Sequence, residues 1–272
     1  MDPTTLVLLA AVSGYGDVDE DGYPSWSERA MHLYTNMVRV DPEAFESDYI
    51  AGGCDLSVFT DDERTAKTPL YFNVALNRVA RAHSEDMRDS GNFSHSSSDG
   101  TSFSDRVWAV YDTNAAIGEN IAYGYPGLWE TVAQGWMCSG EGHRAGIMSG
   151  DYTELGCGVA DSYATQDFGG AAITPPGPVA MGIHHPEQPS GEVAFLVDWT
   201  DEEPPTTLRV ILNGRPVDVS LLVGTDRNGV YSVDEVITAD FGADCLPYHF
   251  KYTTASGLEG TFPEEGSFLP VS

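Results

Sequence analysis

A proline-rich stretch at residues 171–190 divides the chain into two parts with different periodicity. Before it, apolar residues recur at helical spacing in several segments. After it come short runs of alternating apolar and polar residues, joined by hairpin turns such as Asn213-Gly214. The pattern predicts an α+β chain in which residues 191–272 form a small all-β, immunoglobulin-like sandwich. Residues 173–190 are interpreted as the linker between the two parts.

Within the first part, the spacing of Ala30, Leu33, Met37 and Val40 predicts a helix that ends before Asp41-Pro42. A longer helix is predicted over residues 70–90, with residues 43–69 as a loop between the two. Residues 154–160 and 163–168 are rich in strand formers and predict an antiparallel pair across Asp161-Ser162.

The charge balance excludes some classes of function. The 272 residues include 42 Asp and Glu but only 13 Lys and Arg, which gives a formal net charge of -29. Such a chain repels phosphate backbones and anionic lipid surfaces, so neither nucleic acid nor a membrane surface is expected as a partner. No apolar run approaches the length of a transmembrane helix. We expect a soluble, monomeric protein in the extracellular space or the cell envelope.

Four cysteines are present, at positions 54, 138, 157 and 245. None belongs to a Cys-x-x-Cys pair, which excludes a zinc ribbon or a thioredoxin-like site. An even number in an exported chain favours two disulfides. Cys54–Cys138 together with Cys157–Cys245 is the pairing we favour, and Cys138–Cys157 is the alternative.

The N-terminal segment, residues 1–24, carries most of a pattern typical of a calcium-binding loop, which extends to Glu28. Asp17, Asp19 and Asp21 stand at alternate positions, a glycine follows, and Glu28 occupies the twelfth position of the loop. Alternating carboxylates can surround Ca²⁺, and a final glutamate can bind it through both oxygens. Pro24 departs from the pattern because a hydrophobic residue normally occupies that position.

Two histidines and a glutamate stand at the ends of periodic segments, where side chains can converge on a shared cleft. His95, Glu119 and His143 match no short zinc-ligand spacing, so their separations alone do not predict a metal site. The surrounding sequence is more specific. In order, the motifs are His83-Ser84-x-Asp86-Met87, Phe93-Ser-His95, Asp99-Gly-Thr-Ser-Phe-x-x-Arg106, Gly118-Glu-Asn-Ile-Ala122, Trp136-Met137, Gly142-His-Arg-Ala-x-Ile-Met148, Leu155-Gly156 and Thr165-Gln-Asp-Phe168.

This ordered set resembles the bacterial branch of the CAP superfamily, also called SCP, of cysteine-rich secretory, antigen and pathogenesis-related proteins. The resemblance implies that residues 25–172 form an α-β-α sandwich with an open groove. The family groove carries two histidines and two acids. The two histidines map onto His95 and His143, and the first acid maps onto Glu119. The second acid falls at Ser139, and Glu141 is the only nearby carboxylate that can replace it.

From this resemblance we predict a secreted, non-enzymatic protein whose groove binds a divalent metal and an extracellular peptide, glycan or lipid. The predicted zinc ligands are His95, His143, Glu119 and Glu141, and Ca²⁺ is predicted at the N-terminal loop. One alternative is a metal-dependent, peptidase-like hydrolase with His95, Glu119 and His143 as its catalytic residues. A second alternative is an envelope or adhesion protein that acts through its β domain.

Overall fold

The computed structural model describes residues 24–49, 59–140, 142–186, 191–237 and 246–269. Helical segments in these ranges are α1 (Trp26–Val40), α2 (Pro42–Tyr49), α3 (Val74–Ser90), α4 (Phe103–Trp108), α5 (Leu128–Glu130), which continues as a π-helix (Thr131–Met137), and α6 (His143–Met148). The first part also contains the strands β1 (Tyr71–Phe72), β2 (Ile117–Tyr123), β3 (Glu154–Ala160) and β4 (Tyr163–Gly169). Helix α2 is a difference from the prediction, which treated residues 43–69 as a loop.

The first part is built around one sheet with the strand order β1-β3-β4-β2. Strands β3 and β4 pair antiparallel from Glu154↔Gly169 to Ala160↔Tyr163, and the turn between them is at Asp161-Ser162, as predicted. Strand β2 pairs antiparallel with β4 and forms an edge of the sheet. Edge position matters for the site because loops that precede and follow β2 fold back onto it.

Helix α3 packs against one face of the sheet at unusually short range. A Cβ atom at Gly156 would lie 2.1 Å from the backbone nitrogen of Asn77, and one at Gly158 would lie 2.2 Å from the backbone of Ala80. Only glycine permits this approach of helix to strand. Side chains alternate along a strand, so Leu155 and Cys157 face the opposite layer, where α1 lies.

Helix α1 is buried on nearly all sides. Its start is fixed by a capping box between Ser25 and Glu28, and twelve of its 15 residues are buried. One side packs on β3, and the other contacts strands of the second part of the chain. Polar residues on α1 are hydrogen-bonded, as burial demands: Asn36 donates to Asp198 Oδ2 at 2.7 Å, and His32 Nε2 bonds the Leu70 carbonyl at 2.7 Å.

The second part consists of two four-stranded sheets. Their strand orders are β5-β6-β10-β9 and β12-β11-β7-β8, and every pairing within them is antiparallel. The strands are β5 (Gly182–His185), β6 (Gly191–Thr200), β7 (Thr207–Leu212), β8 (Arg215–Asp218), β9 (Ser220–Gly224), β10 (Asn228–Ile237), β11 (Tyr248–Thr253) and β12 (Glu259–Phe262). The predicted fold class, a CAP-type sandwich followed by an all-β domain, is confirmed.

The proline-rich stretch is more than a connection, since it contributes β5 to the first of these sheets. His184 on this strand is buried, with its Nδ1 atom 2.9 Å from the hydroxyl of Tyr248. Because α1 and β5 are both buried between the first part and the second part of the chain, the two parts share one continuous apolar core.

The disulfide prediction needs correction at Cys157, which is a free thiol. Its side chain is 1% exposed, in the middle of β3 and on the face covered by α1. Both predicted pairings that include this residue, Cys157–Cys245 and Cys138–Cys157, are therefore wrong. Cys138 is disulfide-bonded. Because Cys54 and Cys245 lie outside the described residues, the Cys54–Cys138 pairing stays a prediction.

Candidate functional site

The loop that carries His95 is held by the two helices on either side of it. Helix α3 ends at Gly91, whose left-handed conformation (φ 68°) turns the chain. The buried ring of His83 then bonds the Ser94 carbonyl through Nε2 at 2.9 Å, and Asp86 accepts from the Ser98 backbone at 2.8 Å. From α4, Arg106 donates to the His95 carbonyl at 3.0 Å. These contacts fix the backbone on which His95 is carried.

Glu119 on β2 is the buried centre of the site. Its side chain is only 1% exposed, and it accepts hydrogen bonds from His95 Nδ1 at 2.8 Å and from Arg106 Nη2 at 2.5 Å. Since Glu119 accepts at Nδ1, His95 carries its hydrogen there and its Nε2 atom is left as the acceptor. The His95 side chain is 54% exposed, so this second nitrogen is available to solvent.

Asp167 on β4 lies directly opposite Glu119 in the antiparallel register. It is fully buried, and neither of its oxygens receives a hydrogen bond from a described N–H or O–H group. Burial, and then the charge of Glu119, raises the pKa of Asp167 well above its usual range. The buried position next to Glu119 therefore favours the protonated form of Asp167.

Asp167 was not predicted as a site residue, although it lies within the Thr165-Gln-Asp-Phe168 motif. A carboxyl group on the buried central strand of a small sheet is unusual, and that signal was available from the sequence. The pairing of Asp167 with Glu119 could not be predicted, because only the register of β2 against β4 places the two residues side by side.

His143 is held by a residue on the other face of the edge strand β2. Asn120 points away from Glu119, as neighbouring strand residues do, and donates to the His143 carbonyl at 3.1 Å. The His143 ring contacts Ser139, with 3.0 Å between Nδ1 and Oγ. Ser139 is the position at which the family pattern expects the second acid, and here its hydroxyl group contacts the histidine. His95 and His143 share no hydrogen bond in the described part of the chain.

The structure describes three of the four predicted zinc ligands, His95, Glu119 and His143. His95 and Glu119 bond each other, and Arg106 brings a positive charge to the same carboxylate. Among residues that the structure describes, no three His, Cys, Asp or Glu side chains are grouped so as to hold a metal ion. Glu141 lies outside the described residues. Zinc binding stays a prediction.

The predicted calcium loop falls largely outside the described residues, which exclude Asp17, Asp19 and Asp21. Glu28 is described and has another role. Its carboxylate closes the capping box of α1 by accepting from the Ser25 backbone at 2.9 Å, and it also accepts from Arg81 Nε at 2.9 Å. Calcium binding stays a prediction.

An exposed row of aromatic rings adjoins His95. Phe93 and Tyr123 are 50% and 55% exposed, and their ring centroids are 6.2 Å apart. Tyr123 in turn lies 4.5 Å from Tyr163, its partner across the strands. We call Phe93, Tyr123 and Tyr163 the aromatic strip. Tyr123 and Glu119 occupy the same face of β2, about 13 Å apart along the strand.

A four-stranded sheet between helical layers, with a histidine loop folded onto a glutamate of the edge strand, defines a CAP-type sandwich domain. The chain belongs to this family: residues 34–172 match the model of the cysteine-rich secretory protein family, CAP. The resemblance inferred from the sequence motifs is thereby confirmed.

Two curated relatives from Bacillus subtilis share the region. One is the uncharacterized membrane protein YlbC, 43% identical over 90 residues, which are 33% of this chain and 25% of the relative. The other is the uncharacterized protein YkwD, 38% identical over 102 residues, which are 37% of this chain and 39% of the relative. This chain thus spans less than half the length of either relative.

Solved structures with a similar region come from other bacteria. An extracellular SCP-domain protein of Bacillus anthracis is 35% identical, with 36% of this chain and 33% of that chain covered, at a TM-score of 0.33. A cysteine-rich secretory protein of Staphylococcus aureus is 18% identical, with 54% and 40% covered, at a TM-score of 0.36. No helix in the described ranges of our chain has the length and apolar character needed to cross a membrane.

Proposed function

We propose that this chain is an extracellular bacterial CAP-domain protein that binds a ligand at the surface formed by His95 and the aromatic strip, without catalysing a reaction. Extracellular location is supported by the similarity to an extracellular SCP-domain protein of Bacillus anthracis and by the strongly acidic composition. Binding is supported by the site itself, in which one exposed polar group stands beside exposed rings on a rigid backbone.

The observation that carries this proposal is the state of Glu119. Its two oxygens accept from His95 and Arg106, and its side chain is shut away from water. A general base needs an oxygen within reach of the proton that it removes. Glu119 serves instead to orient His95, so that Nε2 presents a fixed hydrogen-bonding atom to a ligand.

The aromatic strip supplies the rest of the binding surface. Exposed Phe and Tyr rings offer large contact areas with little loss of side-chain entropy on binding, and such patches mark interaction sites. With a net charge of -29, the protein repels anionic ligands. The ligand classes that fit are therefore neutral or cationic: a peptide, a neutral glycan or a zwitterionic lipid.

Nuclear magnetic resonance titration tests this proposal with three probes: a neutral N-acetylated oligosaccharide, a cationic peptide and phosphatidylcholine micelles. We expect one of them to shift the amide resonances of residues 93–97 and 121–124 together. Tyr123→Ala and His95→Ala should each weaken that probe about tenfold. Leu258→Ala, which changes an exposed apolar residue of the β domain, is the matched control. Shifts that survive both site variants would refute the proposal.

One observation favours a second candidate, a hydrolase. A histidine whose Nδ1 is held by a buried carboxylate and whose Nε2 is exposed has the arrangement of a general base. Here His95, and not the predicted Glu119, would accept the proton from water. Casein hydrolysis that is lost in His95→Gln while the melting temperature is unchanged would establish this candidate in place of the first. Action through the β domain, the third predicted function, stays a prediction.

A further inference from the structure

A second candidate site lies away from His95, where α1 and α5 meet the β domain. It is a groove of about 640 Å³, within the range of small-ligand sites. Its walls include Trp26, Tyr34, Trp129, Glu130, His185 and Leu222. We call it the aromatic groove. None of these residues belongs to the His95 surface, so the following inference does not depend on the proposed function.

Four rings of the groove form a continuous series. Trp26 stacks with His185, with 6.4 Å between centroids and 29° between ring planes. Tyr34 meets His185 at 70° and Trp129 at 88°, with the latter centroids 5.5 Å apart. Rings at nearly right angles form the corners of a box. Such boxes surround quaternary ammonium groups, whose positive charge is attracted to the faces of the rings.

The series is also held in place. The Tyr34 hydroxyl bonds His185 Nδ1 at 2.9 Å, and the Trp26 indole N–H donates to the His184 carbonyl at 2.8 Å. Rings fixed by hydrogen bonds lose little entropy when a ligand enters, which favours binding.

The charged side chain that lines the groove is negative. Glu130 is the only acidic residue among its described lining residues, and no lysine or arginine is among them. The carboxylate of Glu130 lies beside Gly127, which also lines the groove. A Cβ atom added at Gly127 would be only 2.4 Å from Glu130 Oε2. The whole protein is acidic as well. A small cation with an apolar surface is the ligand that suits both the rings and the carboxylate.

We propose that the aromatic groove binds a small trimethylalkylammonium compound of the choline type. The ammonium group lies among the rings of Trp26, Tyr34 and Trp129, and Glu130 supplies the opposite charge.

The test compares choline with 3,3-dimethyl-1-butanol, its uncharged carbon analogue of the same shape. Each is titrated into the full chain while the indole N–H resonances are followed by ¹H–¹⁵N spectroscopy. We expect choline to shift the resonances of Trp26 and Trp129, and the analogue to bind at least about fivefold more weakly. Raising the salt concentration should weaken choline binding and leave the analogue unaffected.

Variants connect the binding to the groove. Trp129→Leu should weaken choline binding about tenfold or more, and the isosteric Glu130→Gln should weaken it severalfold. Trp108→Leu, at a 40% exposed tryptophan on α4, is the matched control and should bind choline as the wild type does. Glu130→Gln and Trp129→Phe keep the test valid if Trp129→Leu lowers the melting temperature. Equal affinity for choline and its analogue, no binding of either, or equal loss in Trp108→Leu would overturn the proposal.

Discussion

Asp167 and Glu119 lie directly opposite each other across neighbouring strands, and both carboxyl groups are buried. Burial, and then the charge of Glu119, raises the pKa of Asp167, so the pairing favours the protonated form of Asp167. Glu119 is paired with Arg106 and accepts a hydrogen bond from His95. The orientation of His95 at the surface is therefore set by Glu119, a buried group on β2.

We predict that Asp167→Asn stabilises the protein increasingly as the pH rises. An aspartate whose pKa is raised on folding contributes most stability below its unfolded pKa of about 3.9, and loses that contribution as the pH approaches the folded value. Asparagine resembles the protonated side chain at every pH. Urea unfolding between about pH 4 and pH 8 should show that the advantage of the variant grows by about 1–3 kcal/mol.

The exposed Asp151→Asn provides the control, because its side chain has no comparable burial. Its stability relative to the wild type should change little over the same pH range. An advantage for Asp167→Asn that shrinks with rising pH would show that Asp167 is ionised in the folded protein.

Much of the first part of the chain was predictable because its patterns are local. Helix α1 ends at Val40, directly before Asp41-Pro42 as predicted, and a capping box fixes its start. The hairpin of β3 and β4 follows from two β-rich runs and a two-residue turn. His95 and Glu119 were predicted from motifs at element ends, and the structure brings them into contact.

The predictions failed where contacts between distant segments decide the outcome. No periodicity shows that α1 is covered by a second layer, because polar residues such as Asn36 and Arg39 are buried through hydrogen bonds to other segments. Proline-rich composition concealed β5, which exists because β6 offers it a partner. The count of cysteines could not reveal that Cys157 points into the core.

Close packing of α3 on the sheet leads to a second prediction. Gly158→Ala should destabilise the protein by about 3 kcal/mol or more, since the added methyl group meets helix backbone that has no room to shift. Gly150→Ala is the matched control, as nothing lies within 4 Å of a Cβ atom at that position. It should change the unfolding free energy by less than about 0.5 kcal/mol. Chemical denaturation measures both, and similar values for the two variants would contradict the packing described here.

The free thiol at Cys157 gives a third prediction. Burial raises the pKa of this thiol well above its usual value, which suppresses the reactive thiolate. Iodoacetamide added to the folded protein should leave Cys157 unmodified, whereas the same reagent in denaturant, without a reductant, should modify it fully. Peptide mass spectrometry distinguishes the two. A Cys157 that resists alkylation in denaturant until a reductant is added would show that it forms a disulfide.

The orientation of His95 by Glu119 is tested most directly by the hydrogen position on its ring. Long-range ¹H–¹⁵N correlation spectra of the neutral imidazole should show the hydrogen on Nδ1 in the wild type, and a shift toward the Nε2–H form in Glu119→Ala. That result would establish that a buried carboxylate fixes the atom offered to the ligand. An Nε2–H ring in the wild type, or the same spectrum in both proteins, would contradict the account.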